Sequence, residues 1–199
     1  MATGAVVLRA ASDVRLLEQA RNIVESTPPS ELSKRNRDLL GQMQIPDAVV
    51  DRYLQNRWLS PRHQTIIVAS IFALRDVSGR RQFIGYASEA DTEDAALLFQ
   101  QMAELIANYS ALVERVSGIS IVLNLPIITA GQGSSLLLLP IDRLLWTERS
   151  AYLGQGIIES QPGLGIWITG DASPRAEAGL KGLGIKLEQR CGARLPLLD

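Results

Sequence analysis

The stretch ISIVLNLPIITAGQGSSLLLL, residues 119–139, decides the fold, because it changes the periodicity of the chain from helical to extended. Its two aliphatic halves, residues 119–130 and 134–139, are joined by the glycine-containing segment 131–133. Aliphatic and β-branched runs separated by such a turn are typical of a β-hairpin. We therefore predict that this stretch forms two antiparallel strands of a sheet.

One residue of the hairpin, Pro126, limits where its strand can lie. Proline has no backbone N–H, so it cannot donate to the hydrogen-bond ladder of a central strand. The sequence therefore predicts that the strand over residues 119–130 lies at an edge of the sheet or is bulged at Pro126.

Both faces of the predicted hairpin are apolar. In a continuous strand, Ile121 and Ile127 would lie on one face, and Val122 and Ile128 on the other. The cover that we favour is the long helix preceding the hairpin, which gives an ordinary core. The other possibility is a second copy of the protein, or a partner that adds a strand at the Pro126 edge.

The residues before the hairpin have the most regular helical pattern of the chain. Acidic residues within 91–94 are favourable at the positive end of a helix dipole. Apolar residues then recur at helical spacing: Leu97, Leu98, Met102, Leu105, Ile106, Tyr109, Leu112, Val113 and Val116. We predict a helix over residues 92–116, about 38 Å long at the standard rise per residue.

The rest of the N-terminal part favours shorter helices. One is predicted over residues 13–26, and others begin at Ser30, at Asp47 and at Ser60 with its following proline. Residues 65–74 and 82–87 could each form a helix or a strand, because the first run is rich in β-branched residues and the second contains Gly85. We favour a helix for both.

The C-terminal part has a strand-helix-strand pattern. Strands are predicted over residues 165–169 and 185–189, with a helix between them that Ser173 caps. A weaker helix precedes this unit and is predicted to end around Gly154 and Gly156.

These elements predict an α+β fold. The helical N-terminal part, about residues 1–116, packs on a small mixed sheet that the β-hairpin and the C-terminal strand-helix-strand build. Residues 117–199 form the mixed α/β part. No long polar linker separates the two parts, so we predict a single compact unit over residues 1–199.

Charge and hydropathy exclude several classes of partner. The chain has 20 basic and 21 acidic residues, and this balance leaves no basic field that would favour nucleic acid. The longest apolar runs fall short of the roughly 18 residues of a membrane-spanning helix. We expect neither a nucleic-acid partner nor a membrane span.

The start of the sequence bears on location. Residues 1–9 have no basic leader and only a short apolar run, so we expect no secretory signal there. The cytoplasm is the default location, and export is expected only if a signal peptide has been removed. A protein partner or self-association is compatible with either location.

The sequence predicts neither a metal nor a cofactor site. His63 and Cys191 are the only residues of their types, so no closely spaced set of zinc ligands exists. The four Gly-x-Gly pairs lack the third glycine of a dinucleotide loop, and no Gly-Lys-Ser or Gly-Lys-Thr string is present.

Three residues are candidates for catalysis. His63, in the first turn of the helix after Ser60, could act as a general base. Asp142 follows an apolar strand, and Asp171 follows the next one, where sheets often present functional carboxylates. Structural roles are favoured for the aspartates: a helix cap for Asp142, and a turn before the Ser173 cap for Asp171.

The absence of a catalytic motif favours a non-catalytic binding or assembly protein that acts through the apolar hairpin and its edge. The alternative is a small enzyme, possibly a hydrolase, built on Asp142, Asp171 and His63. The two hypotheses differ in whether these three residues converge in one cleft.

Overall fold

The computed structural model describes residues 22–197 of the chain. Residues 22–26 are helical, and the remainder of the predicted helix over residues 13–26 lies outside the described residues. The helices that follow are α1 Pro29–Gln42, α2 Asp47–Gln55, α3 Pro61–Ala73, α4 Arg80–Ala87, α5 Glu93–Leu112, α6 Glu148–Ser160 and α7 Pro174–Gly182.

The strands alternate with the later helices. They are β1 Val116–Val122, β2 Leu125–Ala130, β3 Ser134–Leu139, β4 Arg143–Leu144, β5 Gly165–Ile168, β6 Asp171–Ala172 and β7 Lys186–Glu188. Five strands form one sheet in the order β1-β2-β3-β5-β7, antiparallel from β1 to β3 and parallel from β3 to β7. β4 and β6 form a separate parallel pair. The predicted α+β fold is confirmed, and the single-unit organisation stays a prediction.

Helices of the same chain cover the sheet on both faces. On one face, Ile119 and Ile128 belong to a core that the N-terminal helices share. On the other face, Ile127 packs in a second core with Ile157 of α6 and Leu180 of α7. The prediction of an intramolecular core is therefore confirmed, and the second face is covered as well.

The predicted strand over residues 119–130 is in fact two strands. Leu123 and Asn124 lie in the left-handed region, with φ of 48° and 58°, and form a two-residue turn between β1 and β2. Two such residues in succession match the twist of a tight hairpin. A leucine in this conformation is uncommon, so no simple signal marked the turn. As a result Ile121 shares a face with Ile119 rather than with Ile127, contrary to the prediction.

The predicted edge position of Pro126 is wrong, since β2 lies between β1 and β3. Pro126 pairs with Ile121 of β1, whereas the pairing of β2 with β3 begins only at Ile127. The interior strand β2 tolerates a proline at this position because Pro126 lies outside the part of β2 that pairs with β3, so no N–H is needed there. The irregularity in the hairpin lies in β1, between Val116 and Gly118, and not at Pro126.

The two ambiguous segments are both helical, as we favoured. Residues 65–73 belong to α3, and residues 82–87 belong to α4. α3 tolerates its β-branched run because it is buried on most sides, and Ile66, Ile67 and Val68 have no exposed surface. Tertiary burial outweighs the intrinsic β-preference of these side chains.

Three predicted helix ends differ from the structure. α1 begins at Pro29, so the predicted cap Ser30 lies inside the helix. α5 ends at Leu112 rather than at residue 116, and Val116 begins β1 instead. α6 continues past Gly154 and Gly156, because these glycines allow close packing against Leu183 and Leu123, respectively, instead of ending the helix. Within residues 22–197, no helix is long and apolar enough to cross a membrane.

Candidate functional site

Asp142 and Asp171, two of the predicted site residues, lie side by side at the carboxyl ends of β3 and β5. The backbone N–H of Asp171 donates to the carbonyl oxygen of Asp142 over 2.9 Å. The short parallel pair of β4 and β6 follows directly. Ligands of parallel sheets bind outside the carboxyl ends of the strands, so this is a position where a site can form.

The polar groups at this end of the sheet already have structural partners. The carboxylate of Asp171 accepts a hydrogen bond from Nε of Arg190 over 2.6 Å, and both side chains are largely exposed. Ser173 caps α7 by accepting from the backbone N–H of Ala176, as the sequence predicted. The environment of Asp171 is that of an ordinary strand-to-helix connection.

Asp142 does not cap a helix, contrary to the prediction. Residues 143–144 are extended because they pair with β6, so the helix cannot begin until Thr147. Thr147 accepts a hydrogen bond from the N–H of Ser150, and Ser150 Oγ accepts from the N–H of Thr147. This reciprocal capping box satisfies the first turn of α6. The side chain of Asp142 is exposed.

His63 lies in the first turn of α3, where its backbone N–H donates to Oγ of Ser60. Burial lowers the pKa of the imidazole, and the backbone at Trp58 and the charge of Glu93 partly oppose this shift. These neighbours belong to the helical part of the fold. The structure brings Asp142 and Asp171 together and places His63 elsewhere in the fold, among the N-terminal helices.

Neither a reactive thiol nor a metal cluster is found within residues 22–197. Burial raises the pKa of the Cys191 thiol to about 11, so the neighbouring Arg194 does not produce a thiolate at neutral pH. No group of three or more histidine, cysteine, aspartate or glutamate side chains in this range could hold a metal ion.

The sheet offers a different kind of site at its edges, which are β1 and β7. β7 is three residues long and carries Lys186 and Glu188. Shortness and charge protect an edge from pairing with another chain. β1 is seven residues long and has Ile119 and Ile121 in its second half. β1 is therefore the edge with the length and composition for pairing.

The first half of the β1 edge is already paired by the chain itself. Ser78 forms a single parallel bridge with Gly118. The N–H of Ser78 donates to the carbonyl oxygen of Ser117 over 3.1 Å, and the N–H of Ile119 donates to the carbonyl oxygen of Ser78 over 2.9 Å. The chain then leaves β1 at Gly79, where φ is 82°, and enters α4.

The bridge at Ser78 determines which groups of β1 face outwards. Because residue 119 donates away from β2, residue 121 presents its N–H and C=O in the same direction. Within the described residues, no hydrogen bond of Ser78 or of its neighbours reaches Ile121. The second half of the edge is therefore open.

A cleft of about 530 Å³ lies beside this open edge. α4 packs against both α2 and β1, and one face of α4 lines the cleft. The lining includes Arg52 of α2, Arg81 and Tyr86 of α4, Glu89 just after α4, and Ile121 and Asn124 around the end of β1. The volume is within the range of binding clefts for small ligands or short peptide segments.

Polar contacts hold the walls of the cleft in place. Arg52 donates from Nε to Oγ of Ser88 over 2.8 Å. The hydroxyl of Tyr86 donates to the carbonyl oxygen of Asn124, which ties α4 to the turn after β1. Burial and the nearby charge of Glu89 raise the pKa of Tyr86, so its phenol stays protonated and keeps this contact.

Sequence reasoning missed both the open edge and the cleft. The cleft joins residues from α2, α4 and β1, and no local pattern shows that these elements meet. A signal for the edge was present at Asn124, since asparagine is enriched in left-handed turn positions. When the chain turns at residues 123–124, residues 125–130 lie between β1 and β3, so β1 is the outer strand and Pro126 is the second residue of β2.

Comparisons of the chain with profiles of known protein families, with curated protein sequences and with solved structures found no match.

Proposed function

We propose that this chain is a non-catalytic binding protein that takes up an extended segment of a partner protein along the open edge of β1. The observation that carries the proposal is the bridge between Ser78 and Gly118, in which another segment of the same chain already pairs with the β1 edge. Strand addition gains affinity from main-chain hydrogen bonds and specificity from pockets beside the edge. Ile121 supplies the hydrogen-bonding groups for an added strand.

The cleft supports the proposal because it supplies the pocket that strand addition needs. Ile121 faces the same side of the sheet as the N-terminal helices, where Arg52 and Tyr86 line the cleft. A segment that pairs with β1 would direct alternate side chains towards these residues. The backbone of the segment would thus pair with β1, while its alternate side chains would contact the residues that line the cleft.

The proposed occupant is a partner protein rather than a second copy of this chain. A symmetric pair of β1 edges would bring Arg52 and Arg81 of both copies towards each other. Like charges brought together at an interface are unfavourable. The hypothesis of assembly through the faces of the hairpin has less support, because both faces are covered within the chain.

The first experiment selects binders from a displayed library of random dodecapeptides on the full chain. We expect enriched peptides to slow the hydrogen exchange of the Ile121 amide, as a new ladder hydrogen bond would. Light scattering of the unliganded chain is measured in parallel. Failure to enrich any peptide would contradict the proposal, and so would protection that appears away from β1. If the chain forms a dimer that blocks peptide binding, the occupant of the β1 edge would be a second copy of the chain rather than a partner protein.

The second experiment removes the outward N–H of the edge with Ile121→Pro. This N–H points away from β2, so the β1–β2 ladder keeps its hydrogen bonds. Ile121→Val is the matched control, since it retains the N–H and a β-branched side chain. Binding of the selected peptides should be lost in the proline variant and retained in the valine variant. Equal loss in both would assign the effect to side-chain packing and contradict strand addition.

The alternative of a small enzyme, possibly a hydrolase, has one observation in its favour, the adjacency of Asp142 and Asp171. Its test is a panel of ester, amide and phosphate ester substrates with the full chain, compared with Asp142→Asn and Asp171→Asn. Turnover that both substitutions abolish would support this alternative. His63 would then act only if a substrate spanned two parts of the fold.

A further inference from the structure

We infer that the segment bound at the β1 edge carries an acidic side chain, whose carboxylate is bound by Arg52 and Arg81 together. This inference rests on the proposed function and names the chemistry of its partner. Both arginines line the cleft beside Ile121, one from α2 and one from α4. A carboxylate between them would have a cation from each wall.

Arg52 is held in an orientation that leaves donors free. Its Nε is occupied by Oγ of Ser88, and Ser88 in turn donates to the carbonyl oxygen of Gly85 over 2.6 Å. In the part of the chain that the structure describes, the two terminal nitrogens of the guanidinium have no acceptor and remain for a ligand. A guanidinium that is fixed in advance loses less side-chain entropy when it binds a carboxylate.

The two arginines have no carboxylate partner of their own within residues 22–197, where no ion pair at 4.0 Å or less includes either. The neighbouring Arg37 shows the contrast, since its guanidinium pairs with Asp51 on α2 over 2.8 Å. Asp51 directly precedes Arg52 in the sequence, yet it pairs away from the cleft. The cleft therefore keeps two cations for which the described residues supply no carboxylate partner.

Glu89 is the one acidic residue of the cleft lining, and its charge weakens the preference of the cleft for a carboxylate. Its charge acts on Tyr86, whose pKa it raises together with burial. Against the two arginines it leaves one positive charge in excess in the lining. An incoming carboxylate is favoured, and an incoming lysine or arginine is disfavoured.

The open edge argues for an acidic peptide segment over a free organic acid. A small anion could bind Arg52 and Arg81, but it would leave the outward N–H and C=O of Ile121 without hydrogen-bond partners. An extended segment satisfies both sets of groups at once. Main-chain pairing fixes the register, and the charge pair then selects the side chain at one position of the segment.

The test uses blocked heptapeptides of threonine with a central glutamate, glutamine or lysine, titrated into the full chain by calorimetry. We expect the glutamate peptide to bind about tenfold more tightly than the glutamine peptide, since a charge-assisted hydrogen bond is about twice as strong as a neutral one. The lysine peptide should bind more weakly than both. Raising the salt from about 50 mM to about 500 mM should reduce the preference, because the site is open to solvent.

The double variant Arg52→Gln/Arg81→Gln should remove the preference for glutamate while the glutamine peptide still binds. The matched control is Arg143→Gln/Arg149→Gln, which changes the net charge equally at exposed positions outside the cleft lining. This control should keep the preference. Glu89→Gln should strengthen binding of the glutamate peptide.

The possible failures separate the two proposals. Equal binding of the glutamate and glutamine peptides would overturn the acidic preference and leave strand addition standing. Binding of N-acetylglutamate amide as tight as that of the glutamate peptide would mean a small-anion site and overturn the role of the edge. The absence of binding by every heptapeptide would overturn both.

Discussion

Ser78 and Ile119 are joined by a backbone hydrogen bond, in which the N–H of Ile119 donates to the carbonyl oxygen of Ser78 over 2.9 Å. This bond belongs to the isolated bridge between Ser78 and β1. Two residues further along β1, Ile121 lines the cleft, and within the described residues its outward N–H has no backbone acceptor from Ser78 or its neighbours. A hydrogen-bonded amide exchanges with solvent only when its hydrogen bond opens, so the bond slows exchange. We predict that the Ile121 amide exchanges about tenfold or more faster than the Ile119 amide in native-state hydrogen exchange.

The amide of Ser120 is the internal control for this measurement. It faces β2 and pairs with Ile127, so it should be protected at least as well as Ile119. Equal protection of residues 119, 120 and 121 would mean that the edge of β1 is already closed in the free chain. The proposed binding mode would then fail.

The long apolar stripe of α5 predicts a measurable contribution of Leu105 to stability. Leu105 is fully buried and belongs to the core between the N-terminal helices and the sheet. Leu105→Ala should lower the free energy of unfolding by about 2 to 5 kcal/mol, through lost transfer energy and the cavity left behind. Denaturant unfolding followed by circular dichroism measures the change.

Leu97→Ala is the matched control, because Leu97 lies on the same helix but is 43% exposed. It should cost less than about 1 kcal/mol. A similar loss in both variants would mean that α5 is not anchored through one face. A loss below about 1 kcal/mol for Leu105→Ala would mean that this position is not core.

The fold was predictable where the pattern is long or strongly capped. The stripe of α5 and the caps at Ser60 and Ser173 were all found at or near their predicted places. The hairpin was predicted at the wrong place because its turn uses Leu123, an aliphatic residue that is uncommon in the left-handed conformation. A continuous strand through residues 123–124 places the side chains after the turn on the wrong face and places Pro126 in an edge strand, whereas β2 is interior.

The candidate site was less predictable, for a different physical reason. Asp142 and Asp171 follow strands whose parallel pairing brings them together, so their adjacency has a local signal. The cleft has none, because Arg52 and Tyr86 meet only through the packing of α2 on α4. A lone arginine in an amphipathic helix has the same appearance in sequence whether it faces bulk solvent or a cleft.

His63 should make stability depend on pH near neutrality. Burial lowers its pKa in the folded chain below the ordinary value of 6.5. As the pH falls through that value, the unfolded chain takes up a proton before the folded chain does, so the folded state loses stability. The loss stops below the folded-state pKa. The midpoint of thermal unfolding should therefore drop between about pH 7.5 and about pH 5.5.

His63→Gln should flatten this dependence, and it is a clean comparison because the chain has no other histidine. Carboxylates titrate mainly below this range and affect both proteins alike. The unfolding midpoints of the two proteins at both pH values decide the matter. The same drop in the variant would show that another group causes the dependence.

Gly85 lies inside α4, and a side chain there has room. Among the described residues, leaving aside its chain neighbours and the backbone of α4 itself, the only group within 4 Å of an added Cβ is Nη2 of Arg52, at 3.8 Å, which is an ordinary contact. Alanine has the higher helix propensity, so Gly85→Ala should raise the free energy of unfolding by about 0.5 to 1 kcal/mol. A decrease in stability would mean that α4 needs the glycine for packing.

Gly79, at the start of the same helix, should respond in the opposite direction. Its φ of 82° is unfavourable for alanine, and an added Cβ would lie 1.8 Å from the carbonyl oxygen of Ile119. Since that oxygen belongs to the backbone of β1, it cannot move aside without breaking the bridge to Ser78. Gly79→Ala should therefore cost at least about 1 to 3 kcal/mol and expose the Ile119 amide to exchange. Stability unchanged by this substitution, with the Ile119 amide still protected, would mean that α4 does not begin against the edge of β1, and the cleft between them would then lose its basis.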